Sequence, residues 1–304
     1  MKLNVNKICT FLGHKDAVYA LSEGEENRYF YSAGGDGLVV KWDLKEKGDG
    51  KVVAKVDASV YAMHYLREKK LMVIGQNYEG IHILDVSDKK VVGSLKFTSS
   101  AIFNIKYLGD NIYIATGEGI LVVVDLPSLT VKAQLKISDK SLRTLSVING
   151  EDLLMIGSSD HNIYILDTKE EVFTRKIENH QNSVFTSQYL VSSNTLITGS
   201  RDAHLKFWDL YQDFDLIESI PAHMQTINNV VTNPEQTFIA TGSMDKTVKI
   251  WDAKSRKLLK VIDKERNEGH LSSVNQLFWS NFNNYLISTG DDKAISVWDL
   301  QLID

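Results

Sequence analysis

Seven times along the chain a short apolar run ends in an aspartate behind a bulky residue: Trp42-Asp43, Leu84-Asp85, Val124-Asp125, Leu166-Asp167, Trp208-Asp209, Trp251-Asp252 and Trp298-Asp299. The first members lie 42, 40, 42, 42, 43 and 47 residues apart. A fixed period of this size constrains the fold more than any local propensity, because each unit must bury its apolar face against the next copy of itself. Between the endings the chain reads as short apolar runs broken by Gly, Asn, Asp and Ser, with no 3.6-residue period. Each unit is therefore a set of short strands. Only three prolines occur and no low-complexity stretch separates the repeats, so residues 1–304 are read as one domain. The longest interval contains Asp263-Lys264-Glu265-Arg266-Asn267-Glu268-Gly269, expected to be a surface loop insertion.

Four repeats share a stricter pattern: His14, Ser32, Asp36, Trp42; His180, Thr198, Asp202, Trp208; His223, Thr241, Asp245, Trp251; and His270, Ser288, Asp292, Trp298. In each, the steps are 18, 4 and 6 residues. With these residues at this spacing the chain resembles the WD-repeat family over its whole length. The resemblance implies an all-β fold, a seven-bladed β-propeller of four-stranded antiparallel blades. Each repeat would begin with the outer strand of one blade and continue with the inner three of the next. Residues 52–56, 91–97, 131–137, 173–177, 216–220 and 258–262 supply six outer strands. The seventh is expected from the N-terminal run Lys7 to Leu12, which would complete the last blade and close the ring, protecting a sheet edge.

The resemblance also implies a relay running from Trp through Ser/Thr and His to Asp, tying the second and third strands to the loop leading into the blade. The chemistry fits, since Trp only donates, a hydroxyl and a neutral His do both, and Asp accepts. A made bond contributes about 1 kcal/mol net, while a buried member left unpaired costs about 1–3 kcal/mol. Half a relay is then worse than none. In blades 2, 3 and 4 both polar members are replaced together, by Ile74 and Leu84, Ile114 and Val124, and Ile156 and Leu166. Their His positions are lost as well; Asp160 persists as a turn residue and Glu118 stands at the corresponding place in blade 3. These three blades are expected to rest on apolar packing alone and to form the softer half. His14, His180, His223 and His270 are read as structural, and His64, His82, His161 and His204 show no metal-ligand spacing.

Composition narrows the function. A net charge of −5 argues against general nucleic-acid binding, which needs Lys and Arg to neutralise phosphates. No signal-like run opens the sequence and no stretch approaches the 18 or so apolar residues that span a bilayer. The single cysteine, Cys9, is read as a buried strand residue and fits a reducing, cytoplasmic setting. No Gly-rich phosphate loop, nucleophile motif or metal-ligand cluster is present, so neither catalysis nor a cofactor is expected.

A fold does not state a function, so the reading moves to a site. In the family, partners mostly lie across the top face, which implies three exposed positions per blade. The position after the first apolar residue of the first strand reads Tyr19, Tyr61, Phe103, Arg143, Phe185, Asn228, Asn275. The position before it reads Ala17, Ser59, Ala101, Ser141, Ser183, Thr226, Ser273, small residues expected to leave the rings accessible. The third reads Gly35, Asn77, Gly117, Ser159, Arg201, Met244, Asp291. At 9% aromatic content, seven positions would hold fewer than one aromatic by chance, and the first column holds four. Aromatics and Arg are the residues enriched at binding hot spots, and Arg143 with Arg201 would form a basic corner suited to a carboxylate or phosphate. The expected function is a non-catalytic scaffold holding a protein or peptide that carries an apolar anchor and an acidic group, as a monomer or within a hetero-complex. The alternatives are a permanent subunit of a larger assembly and, less favoured, a propeller enzyme with a channel-mouth site.

Overall fold

A computed structural model describes residues 2–148, 150 and 152–303. Among them the strands form seven four-stranded antiparallel sheets, the blades of a seven-bladed β-propeller. In chain order the blades cover residues 18–55, 62–96, 102–136, 142–178, 184–221 and 227–262, each built from consecutive strands. The seventh combines Val274–Trp279, Leu286–Gly290 and Ile295–Ile303 with the N-terminal strand Lys2–Phe11. The expected loop at 263–269 holds one short helix, Lys264–Asn267, whose first turn is capped by the Asp263 carboxylate accepting the Arg266 N–H at 2.8 Å. Among the described residues no helix is long and apolar enough to cross a membrane.

The chain divides into two compact units, Met1–Ser59 with Asn228–Asp304, and Val60–Ile227. In the first, the N-terminal strand pairs with the last strand from Lys2↔Ile303 to Phe11↔Ile295, with one irregularity between Lys7 and Cys9. It is longer than the run expected from sequence, and it buries Leu3, Val5 and Phe11. Phe11 packs its ring 5.1 Å from that of Trp42 and 5.8 Å from that of Phe30. Cys9 lies half-buried in this strand, and burial pushes its thiol up. In the second unit, apolar clusters join each blade to the next: Ile81, Ile83, Ile105 and Ile114; Tyr113, Leu121, Leu145 and Ile156; Met155, Ile165, Val184 and Trp208.

The turn between the second and third strands explains the recurring aspartate. Asp36, Asp160, Asp202, Asp245 and Asp292 each accept the N–H two residues on, at 3.1, 3.0, 2.9, 3.1 and 3.2 Å. This side-chain bond closes the turn, and the residue between takes a left-handed conformation: Gly37, His161, Ala203, Lys246 and Lys293 have φ from 65 to 75°. His161 is therefore a turn residue.

Hydrogen bonds link the relay residues end to end in blades 1, 5 and 7. In blade 5 the Trp208 indole N–H donates to Thr198 Oγ1 at 2.9 Å, His180 Nε2 meets the same hydroxyl at 2.8 Å, and His180 Nδ1 meets Asp202 at 2.8 Å. The tautomer protonated on Nδ1 satisfies every member, with the hydroxyl donating to Nε2 and Nδ1–H donating to the carboxylate. The chain ends on the Gln181 N–H, which donates to Asp202 at 2.9 Å. Blades 1 and 7 repeat it through Trp42, Ser32, His14, Asp36 and through Trp298, Ser288, His270, Asp292, with every step between 2.7 and 3.1 Å. In blade 6 Trp251 donates to Thr241 at 3.0 Å, and His223 is buried.

Blades 2 to 4 correct the expectation of apolar packing alone. The Trp–hydroxyl half is indeed replaced by buried Ile74 with Leu84, Ile114 with Val124, and Ile156 with Leu166. The acid half survives with new donors. In blade 4 Ser138, standing 18 residues before Ile156 as His180 stands before Thr198, donates to Asp160 at 2.6 Å. The Tyr164 hydroxyl donates to the same carboxylate at 2.7 Å. In blade 3 Glu118 accepts from Thr98 at 3.2 Å and from the Ser99 N–H and hydroxyl at 3.2 and 3.1 Å. Blade 2 has another network, in which His82 bridges Ser94 at 2.7 Å and Gln76 at 2.9 Å, and Gln76 donates to Glu79. A hydroxyl can feed a carboxylate as an imidazole does, so the acid keeps a donor where the Trp, the Ser/Thr and the His bonded to it have been replaced together.

Candidate functional site

The candidate column owes its geometry to an irregularity that sequence reading missed. In each first strand of blades 3, 4 and 5 a fully buried apolar residue, Ile102, Leu142 or Val184, pairs with the second strand. The pairing then skips one residue before resuming at Asn104, Thr144 or Thr186. The skipped residues are Phe103, Arg143 and Phe185. Tyr19 and Asn275 are skipped in the same way in blades 1 and 7. A bulge breaks the alternation of faces and re-aims one side chain, which is why bulges gather at functional sites.

Within Val60–Ile227 the bulged Phe103, Arg143 and Phe185 side chains come together with Tyr61, which lies just before the first strand of blade 2. The Tyr61 and Phe103 rings stack with centroids 5.9 Å apart and planes 9° from parallel. The Arg143 guanidinium carbon lies 4.0 Å from the Phe103 ring centre and 4.9 Å from that of Phe185. Its Nε donates to Ser159 at 2.8 Å. Rings and hydroxyl hold the guanidinium in one orientation, and a partly desolvated cation–π contact is worth about 1–2 kcal/mol. Arg201, exposed, stands close enough to act on Arg143: burial, and then the Arg201 charge, push the Arg143 guanidinium below its ordinary range. Among the described residues no carboxylate pairs with either guanidinium. The rings are half-buried, so they form a stacked bed and not the freely exposed arc that sequence suggested.

In the other unit the same column does different work. Asn228 donates to Ser273 Oγ at 2.9 Å and to the Val274 carbonyl at 2.8 Å, while Asn275 donates to Asp291 at 2.7 Å and to the Val18 carbonyl at 3.2 Å. These amides tie blade 6 to blade 7 and blade 7 to blade 1. Tyr19 is half-buried, and Met244 and Asp291 are exposed. Asn77 is buried, its side-chain carbonyl accepting the Ile102 N–H at 2.8 Å, so it is unavailable to a partner.

The small residues beside the column also have a role that sequence reading missed. Ser141 donates to the Gly117 carbonyl at 3.0 Å and Ser183 to the Ser159 carbonyl at 3.4 Å, each reaching the preceding blade. Their recurrence as Ser was the available signal, since a hydroxyl among small residues implies a bond. Among the described residues no three His, Cys, Asp or Glu side chains gather as a metal site would require.

The family profile described as WD domain, G-beta repeat matches residues 5–43, 171–209, 214–252 and 260–299, just over half of the chain. The chain belongs to the WD-repeat family. The matched segments are those that close the four full relays; Tyr61, Phe103 and Arg143 fall outside them. Among curated WD-repeat relatives, the protein tipD of Dictyostelium discoideum is 23% identical over 94% of this chain and 48% of its own length. The WD repeat-containing protein 37 of Homo sapiens is 26% identical over 51% of this chain and 31% of its own length. The U3 small nucleolar RNA-associated protein 15 homolog of Gallus gallus is 25% identical over 69% and 40%. The chain thus spans less than half the length of each. WD-repeat propellers are in general protein-interaction scaffolds, and this chain has their fold.

Proposed function

We propose that this WD-repeat chain holds a protein or peptide partner at the Tyr61, Phe103, Arg143 and Phe185 stack, with an apolar anchor against the rings and an acidic group taken by Arg143 and Arg201. One observation carries the reading: two neighbouring guanidinium groups, one clamped against aromatic rings, neither paired with an acid. Placing like charges together in a half-buried bed is unfavourable until an anion arrives, and a fixed guanidinium binds a carboxylate or phosphate through paired hydrogen bonds. The interaction is non-catalytic, since the cluster holds neither a nucleophile nor a base.

The test is affinity purification of the tagged chain from native lysate, as wild type and as Arg143→Glu with Arg201→Glu. The expected result is loss of an acidic partner at an unchanged melting temperature. Full retention of every partner by the double variant overturns the proposal. A permanent structural role in an assembly is favoured by a different observation, the exposed apolar pairs Val91 with Val92 and Val172 with Phe173 on fourth strands. That role predicts co-elution in one large native complex that survives the double variant.

A further inference from the structure

The first strands of blades 2 to 5, Ala62–Leu66, Ile102–Leu108, Leu142–Ile148 and Val184–Leu190, adjoin one another, each at one edge of its sheet. Together they carry His64, Lys106 and Arg143 and no Asp or Glu. Arg143 is held by its rings and by Ser159, but Lys106 has no such support. Among the described residues Lys106 makes no side-chain hydrogen bond or ion pair, and neither the Asn104 amide nor the His64 imidazole makes a hydrogen bond. All three side chains belong to residues that are only partly exposed. Two other strand lysines withdrawn from solvent are matched, Lys41 by Glu25 and Lys206 by the backbone and side-chain oxygens of Asn179 at 2.6 Å. A cation taken out of water without a partner is unfavourable, and so is an amide left without a bond.

The strand sets the geometry. Ile105 packs into the cluster shared with blade 2, and Leu108 into the cluster shared with blade 4. Side chains two apart share a face, so Asn104 and Lys106 lie on the Leu108 side, about 7 Å apart along the strand. His64 stands on the adjoining strand, near enough for the Lys106 charge to join burial in holding its imidazole down. Burial likewise pushes the Lys106 ammonium below its ordinary range. We propose that Asn104 and Lys106 form a binding site for an oxyanion, a phosphate or carboxylate group, on the first strand of blade 3. The ammonium supplies the charge and the amide N–H groups a second, oriented donor, so that the two bracket one anion. No carboxylate on the adjoining first strands competes for Lys106. The bound anion neutralises Lys106 in a blade that lacks the Trp relay. Neither residue belongs to the Arg143 stack, so the two sites stand or fall separately.

The experiment titrates the full chain at pH 7 and constant ionic strength, with chloride as the baseline. One arm uses inorganic phosphate and the other a capped glycine–glutamate–glycine peptide. The readouts are the nuclear magnetic resonance signals of the His64 imidazole and the melting temperature. At least one arm should shift the His64 signals saturably and raise the melting temperature; a response to phosphate assigns the site to a free anion, and a response to the peptide alone assigns it to a partner's acidic side chain. Lys106→Met, which keeps the length of the side chain and removes an uncompensated charge, should fold and lose the response. Lys106→Arg should keep it, and Asn104→Ala should weaken binding about tenfold, the effect of one hydrogen bond to a charged group. Arg143→Gln with Arg201→Gln should leave the His64 response in place. Three results overturn the proposal: no saturable shift in either arm, an equal shift in Lys106→Met, or a shift lost only in the double arginine variant.

Discussion

Blades 4 and 5 lie side by side in the Val60–Ile227 unit and close the same turn with different chemistry. Blade 5 runs an unbroken chain from the Trp208 indole through Thr198 and His180 to Asp202. Blade 4 fills the indole and hydroxyl positions with buried Leu166 and Ile156, and feeds Asp160 from Ser138 and Tyr164. The carboxylate is common to both because the turn itself needs an acceptor. Trp, Thr and His are dispensable only as a set, because the hydroxyl serves both the indole and the imidazole; blade 4 replaces all three, with Ser138 in the His place, so nothing is left unpaired. A relay is therefore two separable devices, a turn-closing acid and a buried polar rivet.

The largest effect should come from breaking only the rivet. Thr198→Val leaves the Trp208 N–H and His180 Nε2 buried without partners and should cost about 3 kcal/mol in urea unfolding. Ile156→Val at the matching place in blade 4 should cost about 1 kcal/mol, as a lost methylene does. Equal losses would dissolve the distinction between the blades.

Acid offers a second separation. Burial holds the His180 imidazole below its ordinary range despite the Asp202 bond. Burial alone would raise Asp202, but the His180 bond, its charge and two backbone N–H groups bring it down. His64, enclosed in blade 2 with the Lys106 charge nearby, is held at about 3 by burial first and that charge second. Each group binds fewer protons folded than unfolded, so stability present at neutral pH is lost as pH falls. For the histidines the loss begins near their unfolded value of about 6.5, and His64 alone should remove about 2 kcal/mol between pH 7 and pH 5. His64→Gln should flatten that stretch of the profile. Blade 4 has no histidine in its network, and its lowered Asp160 weakens only below about pH 4. Hydrogen exchange at pH 5 should therefore show blade 5 opening before blade 4, and the reverse order would break the comparison.

The smallest effect sharpens the description of blade 4. Tyr164→Phe removes one of two hydroxyl donors to Asp160 and should cost about 1 kcal/mol. In wild type the Tyr164 phenol is pushed up to about 12 by burial and then by Asp160, so an ultraviolet titration should find one late-ionising tyrosine missing in the variant.

Periodicity and residue chemistry determined the strand count, the blade boundaries, the four relays and the column containing Tyr61, Phe103, Arg143 and Phe185. These follow from spacing along one repeat, which a single sequence displays. The stack itself was decided elsewhere. Phe103 and Arg143 are forty residues apart, and their contact requires two bulges, in adjacent blades, to turn both side chains the same way. Nothing local to either residue specifies a skipped pairing. The same holds for Ser138 and Tyr164 replacing an imidazole, and for Asn228 and Asn275 tying blades together. Repeat chemistry is written within about forty residues of chain, but what one repeat presents to the next depends on side-chain direction across a sheet interface, which only the folded structure sets.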